Sequence, residues 1–308
     1  MTLVNDFYKE GGSVDNISSY ARCELCARRC LVDRTKGKTG FCRSTDTMKI
    51  TRAALHFWEE PIISGTRGSG TIFFSGCSLG CIYCQNASIS RASVGTEITA
   101  EALAGEMLRL EEEGAHNINF VTPTHFAPGI AESVRISRAL GLRIPIVYNT
   151  GSYDTREALR KLDGLIDIYL PDLKYYRPES AKKLSYAEDY PTVAREAIAE
   201  MVRQRPTPVV EEGIMRSGVV VRVLLLPSHV AEAKLSVRYL YDTYGDSIYI
   251  SLMNQYTPMN GMTSPLDRTV TNAEYSELVD YAERIGVVNA FIQEGGTQKE
   301  SFIPNFDI

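Results

Sequence analysis

Three cysteines, Cys77, Cys81 and Cys84, follow an apolar segment with the spacing C-x3-C-x2-C. Three thiolates can hold three irons of a cubane 4Fe-4S cluster, and the fourth iron then has no protein ligand. Clusters that only transfer electrons normally use four cysteines, whereas catalytic metal sites keep one coordination position free. The odd number of thiols therefore predicts a cluster whose open iron takes part in chemistry.

A second set of cysteines, Cys23, Cys26, Cys30 and Cys42, has the spacing C-x2-C-x3-C-x11-C, and all seven cysteines fall in the first 84 residues. Such clustering favours metal ligation over a disulfide scaffold. Four thiolates are a full ligand set for structural zinc or for an electron-transfer 4Fe-4S cluster. The spacing matches neither pattern fully, so zinc, a second cluster and a metal-free segment all remain open.

The composition restricts the class of protein. The chain has 308 residues, a net charge of −5 and a pI of about 5.6, which gives no sign of general nucleic-acid binding. Its start does not resemble a secretory signal, and its longest apolar runs are far shorter than a membrane span of ~20 residues. We expect a cytoplasmic protein with no nucleic-acid or membrane partner.

Beyond the cysteine-rich start, β-like and helix-like segments alternate. The β-like segments are residues 72–75, 117–121, 145–148, 166–170, 219–226, 247–252 and 288–293, and the helical ones are 100–113, 130–140, 155–162, 178–205, 230–244 and 272–285. This alternation predicts an α/β fold with a partial (β/α)6-type parallel barrel. The predicted division is a cysteine-rich N-terminal region, 1–65, and a barrel with a C-terminal tail, 66–308.

Polar residues follow each of the first six β-like segments. Examples are Thr122-Pro-Thr-His125 after the second segment, Asn149 after the third and Gln255 after the sixth. Because active sites lie at the carboxyl ends of barrel strands, we expect these residues to meet at one site. Of the histidines, His125 and His56 are the candidate catalytic residues.

The cysteine loop and its surroundings resemble the radical S-adenosylmethionine (SAM) superfamily. An aromatic residue, Tyr83, precedes the last cysteine, as is usual there, and Gln85-Asn86 follows it. Together with Asn149-Thr-Gly151 and Asp172-Leu-Lys174, this ending is similar to the branch related to pyruvate formate-lyase activating enzymes. The resemblance covers about residues 70–300.

The resemblance implies a site-differentiated cluster at which SAM is cleaved to a 5′-deoxyadenosyl radical that abstracts hydrogen from a substrate. It places Tyr83 near the SAM adenine, and Asp172 and Lys174 near SAM. The superfamily usually has a Gly-Gly-Glu-Pro-like segment where this chain has residues 122–125. Oxygens of Thr122 and Thr124 can accept the hydrogen bonds of the SAM ammonium instead, and the departure argues against a standard pyruvate formate-lyase activating enzyme.

Three more polar residues are candidate SAM ligands. Asn149 and Gln255 end β-like segments, and Arg222 places a charge inside one. A buried charge must be paired, so Arg222 is expected to meet either the SAM carboxylate or an internal acid such as Glu294.

The leading function is thus that of a radical SAM enzyme, an activating-enzyme-like oxidoreductase. Its substrate is either a protein, such as a glycyl radical enzyme, or a small molecule, and its electron donor is expected to be a flavodoxin or ferredoxin. The alternative is a non-catalytic iron–sulfur protein for electron transfer or redox sensing, which would need four ligands per cluster.

Overall fold

The computed structural model describes residues 19–259, 261–293 and 306. Its strands are β1 (Met48–His56), β2 (Ser69–Phe74), β3 (Thr96–Ile98), β4 (Ile118–Val121), β5 (Ile146–Thr150), β6 (Ile168–Pro171), β7 (Val209–Glu211), β8 (Ile214–Leu224), β9 (Tyr249–Met253) and β10 (Ala290–Ile292). Its α-helices are α1 (Pro61–Ser64), α2 (Ala87–Ser90), α3 (Ala100–Glu112), α4 (Ala127–Ala139), α5 (Arg156–Arg160), α6 (Pro178–Ser185), α7 (Tyr190–Gln204), α8 (Val230–Tyr244) and α9 (Asn272–Arg284). Short 3-10 helices span Arg34–Lys36, Thr124–Phe126 and Gly245–Ser247.

The strands form one sheet in the order β10-β9-β8-β6-β5-β4-β2-β1-β3, with β7 paired to β8. From β10 to β2 every neighbouring pair is parallel. The sheet ends at β3 and β10, so the described strands do not close a barrel. The prediction of an α/β fold with a partial parallel barrel is confirmed, and β10 adds one parallel strand to the six.

The N-terminal region contributes a strand that the sequence did not indicate. Strand β1 pairs antiparallel with β2, from Ile50 opposite Phe74 to His56 opposite Ser69, and β3 pairs with β1. Eight of the nine β1 residues are half-buried, which explains why no clear alternation of apolar and polar residues appears there. The sheet therefore begins before residue 66, and the division at 65/66 stays a prediction.

The long helical segment predicted at residues 178–205 is two helices. Helix α6 ends at Ser185, because the left-handed backbone of Tyr186 (φ 53°) closes the helix. Helix α7 begins at Tyr190 with Pro191 in its first turn. Proline suits that position because its missing N–H would have no partner there. The break leaves the carbonyl groups of Ser185 and Tyr186 without helical partners, and both accept hydrogen bonds from Arg28.

The central strands lie in the core. All residues of β2, β5 and β6 are buried, as are three of four in β4. Near-continuous apolar strands are typical of parallel sheets that helices cover. No helix among the described residues has the length and apolar character that crossing a membrane requires.

Candidate active site

A cavity of about 630 Å³ lies at the carboxyl ends of the parallel strands. This is the end of a β/α barrel at which active sites are built, and the volume suits a cofactor-sized ligand. The lining includes most of the residues singled out from the sequence, namely His56, Cys77, Cys81, Tyr83, Cys84, Thr122, Thr124, Asn149, Asp172, Lys174, Arg222 and Gln255. His125 and the four N-terminal cysteines are not part of it.

The cysteine loop, residues 77–84, follows β2 and reaches the cavity with all three of its thiols free. Gly76 and Gly80 turn the chain with φ of 86° and 74°, which favour glycine. Burial, and after it the neighbouring thiols, raise the pKa of Cys77 to about 12. This thiol is therefore neutral without a cation, and a bound metal would ionise it.

Within the described ranges, no three His, Cys, Asp or Glu side chains are already arranged to hold a metal ion. This is true of the cysteine loop and of the N-terminal cysteines alike. The donor chemistry of the cysteine loop nevertheless fits a cluster with one open iron, because three thiols reach the cavity from one short loop.

A chain of hydrogen-bonded hydroxyl groups connects two residues of the cysteine loop, Tyr83 and Cys81. Tyr175 donates a hydrogen bond to the hydroxyl of Tyr83 at 2.7 Å, and its hydroxyl lies 2.6 Å from that of Ser185. Ser185 in turn donates to the Sγ of Cys81 at 2.9 Å. Hydrogen bonds to a ligating sulfur tune the potential of a cluster. The sequence did not single out Tyr175 or Ser185, because neither belongs to a recognisable motif.

Gln85 connects the cysteine loop to the far side of the sheet. Its Nε2 donates to the carbonyl of Gln255 at 2.8 Å, and the Oε1 of Gln255 accepts from Gln293 at 3.0 Å. The side chain of Gln255 is thereby held at the end of β9, within the lining of the cavity.

Asp172 and Lys174 form an ion pair at the end of β6, with Nζ and Oδ2 2.6 Å apart. Burial works against the charge of Lys174, but Asp172 and the nearby tyrosines outweigh it and raise the pKa of Lys174. Tyr190 fixes the backbone of the pair, because its hydroxyl donates to the carbonyl of Asp172 and accepts from the amide of Lys174. The pair therefore presents a fixed cation and a fixed anion to the cavity.

The segment after β4 has an unusual backbone. Thr122 adopts a left-handed conformation with φ 59°, which is rare for a β-branched residue. Its amide donates to the carbonyl of Asn149 at 2.9 Å, so the ends of β4 and β5 are joined. Thr124 is buried, and its hydroxyl lies 3.1 Å from that of Thr150. Strain of this kind concentrates at functional sites.

Arg222 is paired with acidic residues of the protein itself. This is one of the two arrangements that the sequence predicts for it. Its Nε donates to Oε1 of Glu60 at 2.7 Å and its Nη2 to Oε2 of Glu60 at 2.6 Å and to Glu59. The suggested partner Glu294 lies outside the described residues. Burial opposes the charge of Glu60, but Arg222 holds the pKa of that carboxyl below its usual range.

The two candidate catalytic histidines are placed differently. His56 ends β1 and lines the cavity, and burial lowers its pKa. His125 is buried outside the cavity, where its Nε2 bonds to the carbonyl of Ser75 at 2.7 Å. Burial, with Arg34 nearby, lowers the pKa of His125 to about 3, so its ring is neutral over the range in which histidine usually titrates.

The model of the radical SAM superfamily matches residues 71–214, from β2 and the cysteine loop to the first residue of β8. The chain carries a radical SAM domain. Members of this superfamily are enzymes that use a 4Fe-4S cluster and SAM, so the protein that carries this domain is an enzyme. Glu59 and Glu60 precede the matched stretch and Arg222 follows it, so this ion-pair group lies outside the match.

Relatives of known sequence are distant. The chain is 26% identical over 275 residues to the uncharacterized protein MJ0674 of Methanocaldococcus jannaschii, covering 86% of this chain and 75% of that protein. It is also 26% identical over 148 residues to the pyruvate formate-lyase-activating enzyme of Listeria monocytogenes. That similarity covers 45% of this chain and 58% of the activating enzyme.

Solved structures share the fold of the radical SAM enzyme. A radical SAM methyltransferase from Sphaerobacter thermophilus has a TM-score of 0.50 at 16% identity, with 92% of this chain and 89% of that chain covered. Streptococcus suis SuiB bound to S-adenosylmethionine also has a TM-score of 0.50, at 12% identity, with 72% and 49% covered. At these identities the likeness concerns the fold alone.

The N-terminal cysteines lie beside the radical SAM domain. Cys23, Cys26 and Cys42 are buried, Cys30 is half-buried, and all four are free thiols. Burial raises the pKa of Cys26 to about 12. A fully buried arginine, Arg34, donates to the Sγ of Cys23 over 3.7 Å. The structure brings these residues together but does not bring them to the cavity.

Proposed function

We propose that Cys77, Cys81 and Cys84 hold a 4Fe-4S cluster with one open iron and that SAM binds against it in the cavity. The observation that supports this best is that these three thiols line the cavity while the other four cysteines do not. When bound, the cluster and SAM together supply a 5′-deoxyadenosyl radical, which removes a hydrogen atom from the substrate. The chain's own residues bind, orient and shield the reactants.

SAM is proposed to contact the ends of β4, β5 and β6. The methionine part of SAM can form hydrogen bonds with the oxygens of Thr122 and Thr124 and with the side-chain amide of Asn149. Lys174, fixed by Asp172, provides a positive charge for its carboxylate. Tyr83 offers an aromatic face beside the adenine, and Gln255 offers polar atoms to the ribose or to the substrate.

Arg222 is proposed to act on the wall of the cavity and not on SAM. Two of its guanidinium nitrogens are already bonded to Glu59 and Glu60. The side chains of these three residues are largely covered from water. Arg222 thereby fixes the segment directly after β1, the strand that His56 ends. His56 is the histidine that we propose to meet the substrate, while His125 is proposed to support the backbone of Ser75.

The substrate is proposed to be a polypeptide. Three large apolar side chains in the cavity lining, Phe57, Trp58 and Ile292, are 50%, 54% and 43% exposed. Exposed apolar clusters of this kind mark sites of protein or peptide binding. The similarity to an activating enzyme, whose name refers to another enzyme, favours the same interpretation. A small-molecule substrate is the second candidate.

Two further components complete the proposal. A flavodoxin or ferredoxin is proposed as the electron donor, because cleavage of SAM requires one electron. Cys23, Cys26, Cys30 and Cys42 are proposed as a second metal site.

The central test is anaerobic reconstitution with iron and sulfide, followed by SAM and dithionite, with 5′-deoxyadenosine measured. The wild type should form 5′-deoxyadenosine, and Cys81→Ala should form none and lose the effect of SAM on the spectrum of the reduced cluster. A wild type that carries a cluster but forms no 5′-deoxyadenosine would favour the non-catalytic iron–sulfur protein.

The substrate class is tested by adding a cell extract, separated by ultrafiltration into macromolecular and low-mass fractions. For a polypeptide substrate, the macromolecular fraction should stimulate formation of 5′-deoxyadenosine, and protease treatment should remove the effect. Stimulation by the low-mass fraction alone would favour the small molecule.

A further inference from the structure

The four N-terminal thiols are gathered by a compact turn of the chain. The backbone of Cys23 pairs with Leu31 and Val32, and the amide of Arg29 bonds to the carbonyl of Cys26. Gly40 lies against Cys30, so closely that a Cβ on Gly40 would stand 2.7 Å from the Sγ. The thiols therefore come from one folded unit, residues 23–42, in which Cys23, Cys26 and Cys42 are buried and Cys30 is half-buried.

Arg34 lies beside the thiol of Cys23. It has no exposed surface, and it donates to the carbonyls of Thr45 and His125 and to the Sγ of Cys23. No ion pair of the described residues includes it. A buried guanidinium without an anion is costly, so this position favours a negative group nearby.

We propose that Cys23, Cys26, Cys30 and Cys42 bind a metal centre as four thiolates, with Arg34 as its counter-charge, and that this centre keeps Arg28 on the cysteine loop. Four thiolates around Zn²⁺, or around a 4Fe-4S cluster of core charge +2, leave a net charge of −2. Either centre supplies the missing anion. The positioning of the cysteine loop by Arg28 rests on the proposed function. The metal site formed by the four N-terminal cysteines does not rest on it.

The unit of residues 23–42 is fastened to the barrel at the end of β5. The amide of Ala27 donates to the carbonyl of Tyr153 at 3.2 Å, and the amide of Thr155 donates to the carbonyl of Leu25 at 3.3 Å. Cys26 lies opposite Asp154 in an isolated β-bridge. These bonds fix the backbone on both sides of Cys26, directly before Arg28.

Arg28 joins this unit to the cysteine loop. Its guanidinium donates to the carbonyls of Ser78 and Leu79 at 3.0 Å each, and to those of Ser185 and Tyr186 at 3.0 and 2.5 Å. The ring of Phe41 covers the guanidinium at 3.9 Å. Because Arg28 lies between Cys26 and Cys30, and Phe41 lies beside Cys42, a metal bound to these cysteines would fix both residues. Arg28 is thus a positioning residue for the loop that carries Cys77, Cys81 and Cys84.

The metal site is tested by elemental analysis of protein purified without oxygen and passed over a gel-filtration column in EDTA, which removes adventitious ions. Beyond the iron of the cysteine loop, the wild type should retain either about one zinc or about four further irons per chain. Cys30→Ser should lose that amount, and Cys81→Ala should keep it. A wild type whose whole metal content disappears in Cys81→Ala would overturn the proposal, whether or not Cys30→Ser folds.

The positioning role is tested with Arg28→Ala. The matched control is Arg29→Ala, because Arg29 is exposed and its ion pair with Glu24 is long, at 3.9 Å. Arg28→Ala should lose at least about half of the cysteine-loop iron on gel filtration, because its four bonds join the loop to α6. It should also weaken the spectral effect of SAM on the reduced cluster, and Arg28→Lys should restore part of both signals. Equal iron retention and equal SAM spectra in the two alanine variants would overturn the role.

These readouts separate the metal site from the proposed cleavage of SAM. Zinc or iron content is measured without any turnover, so the metal site can stand even if the wild type forms no 5′-deoxyadenosine. Conversely, a wild type that cleaves SAM but holds no second metal would retain the proposed function and refute the metal site.

Discussion

Replacing Arg222 by Met should separate a structural role from a SAM-binding role. Arg222 bonds twice to Glu60 and once to Glu59, and the side chains of the three residues are 11%, 5% and 8% exposed. Removing one partner of a buried ion pair leaves an unpaired buried charge and costs about 3–5 kcal/mol. We expect the free energy of unfolding to fall by this amount.

The assay is urea unfolding under nitrogen, followed by far-UV circular dichroism and by the fluorescence of Trp58, the single tryptophan and the neighbour of Glu59. Adding Glu60→Gln to Arg222→Met should restore at least about 1.5 kcal/mol, because it removes one of the stranded charges. The control is Arg216→Met. Arg216 is the third residue of the same strand, and its ion pair with Glu211 is partly exposed, so a change under about 1 kcal/mol is expected.

The pH dependence of the free energy of unfolding is a second, independent test of this ion pair. In the wild type the pKa of Glu60 is lowered, so its contribution to stability is present above the unfolded value of about 4.3 and is lost as the pH falls. Without Arg222, burial should raise that pKa, and the variant should gain stability as Glu60 takes up a proton. The difference between the two proteins should therefore shrink on acidification. A loss under about 1 kcal/mol, together with a raised KM for SAM, would refute this reasoning and make Arg222 a SAM ligand.

Three further variants test single features of the site. Thr122→Gly should gain about 1 kcal/mol of stability in urea, because its left-handed backbone suits glycine, while the lost hydroxyl raises the KM for SAM about 2- to 10-fold. The control Glu212→Gly, also left-handed but exposed and outside the cavity lining, should gain stability with no change in KM. His125→Asn should cost about 1–2 kcal/mol and leave the pH profile of SAM cleavage unchanged between about pH 6 and 8, since a catalytic histidine would shift it. Ser185→Ala should make the cluster harder to reduce in a spectroscopic redox titration, because it removes the hydrogen bond to Cys81; an unchanged potential would contradict that.

The site could be located in part from the sequence because parallel strands end at the same edge of a sheet. Thr122, Asn149, Asp172 and Gln255 follow β-like segments of the sequence, and all of them line the cavity. His125 was chosen by the same rule but lies outside, because the 3-10 helix of residues 124–126 carries its side chain toward Ser75. The rule predicts the level of a residue along the barrel but not the direction of its side chain.

Other parts of the site depend on contacts between distant segments. Glu60 and Arg222 are 162 residues apart, and Arg28 and Ser185 are 157 apart. The types of these residues reveal nothing about the pairing, because an arginine in a strand can meet any acid that the fold brings near. Strand β1 was missed for a related reason: its half-buried residues show no alternation, and its pairing with β2 becomes visible only when β2 is in place.

The sequence by itself determined the class of chemistry, since the number and spacing of cysteines set how many irons a loop can hold, and it determined the parallel architecture, since the alternation of strands and helices is local. Only the tertiary structure decided which groups support that chemistry. It paired Arg222 with two glutamates, aligned Ser185 with Cys81, and laid Arg28 across the cysteine loop. The reason is that hydrogen bonds and charge pairs depend on distances in space, and those distances exist only when the chain is folded.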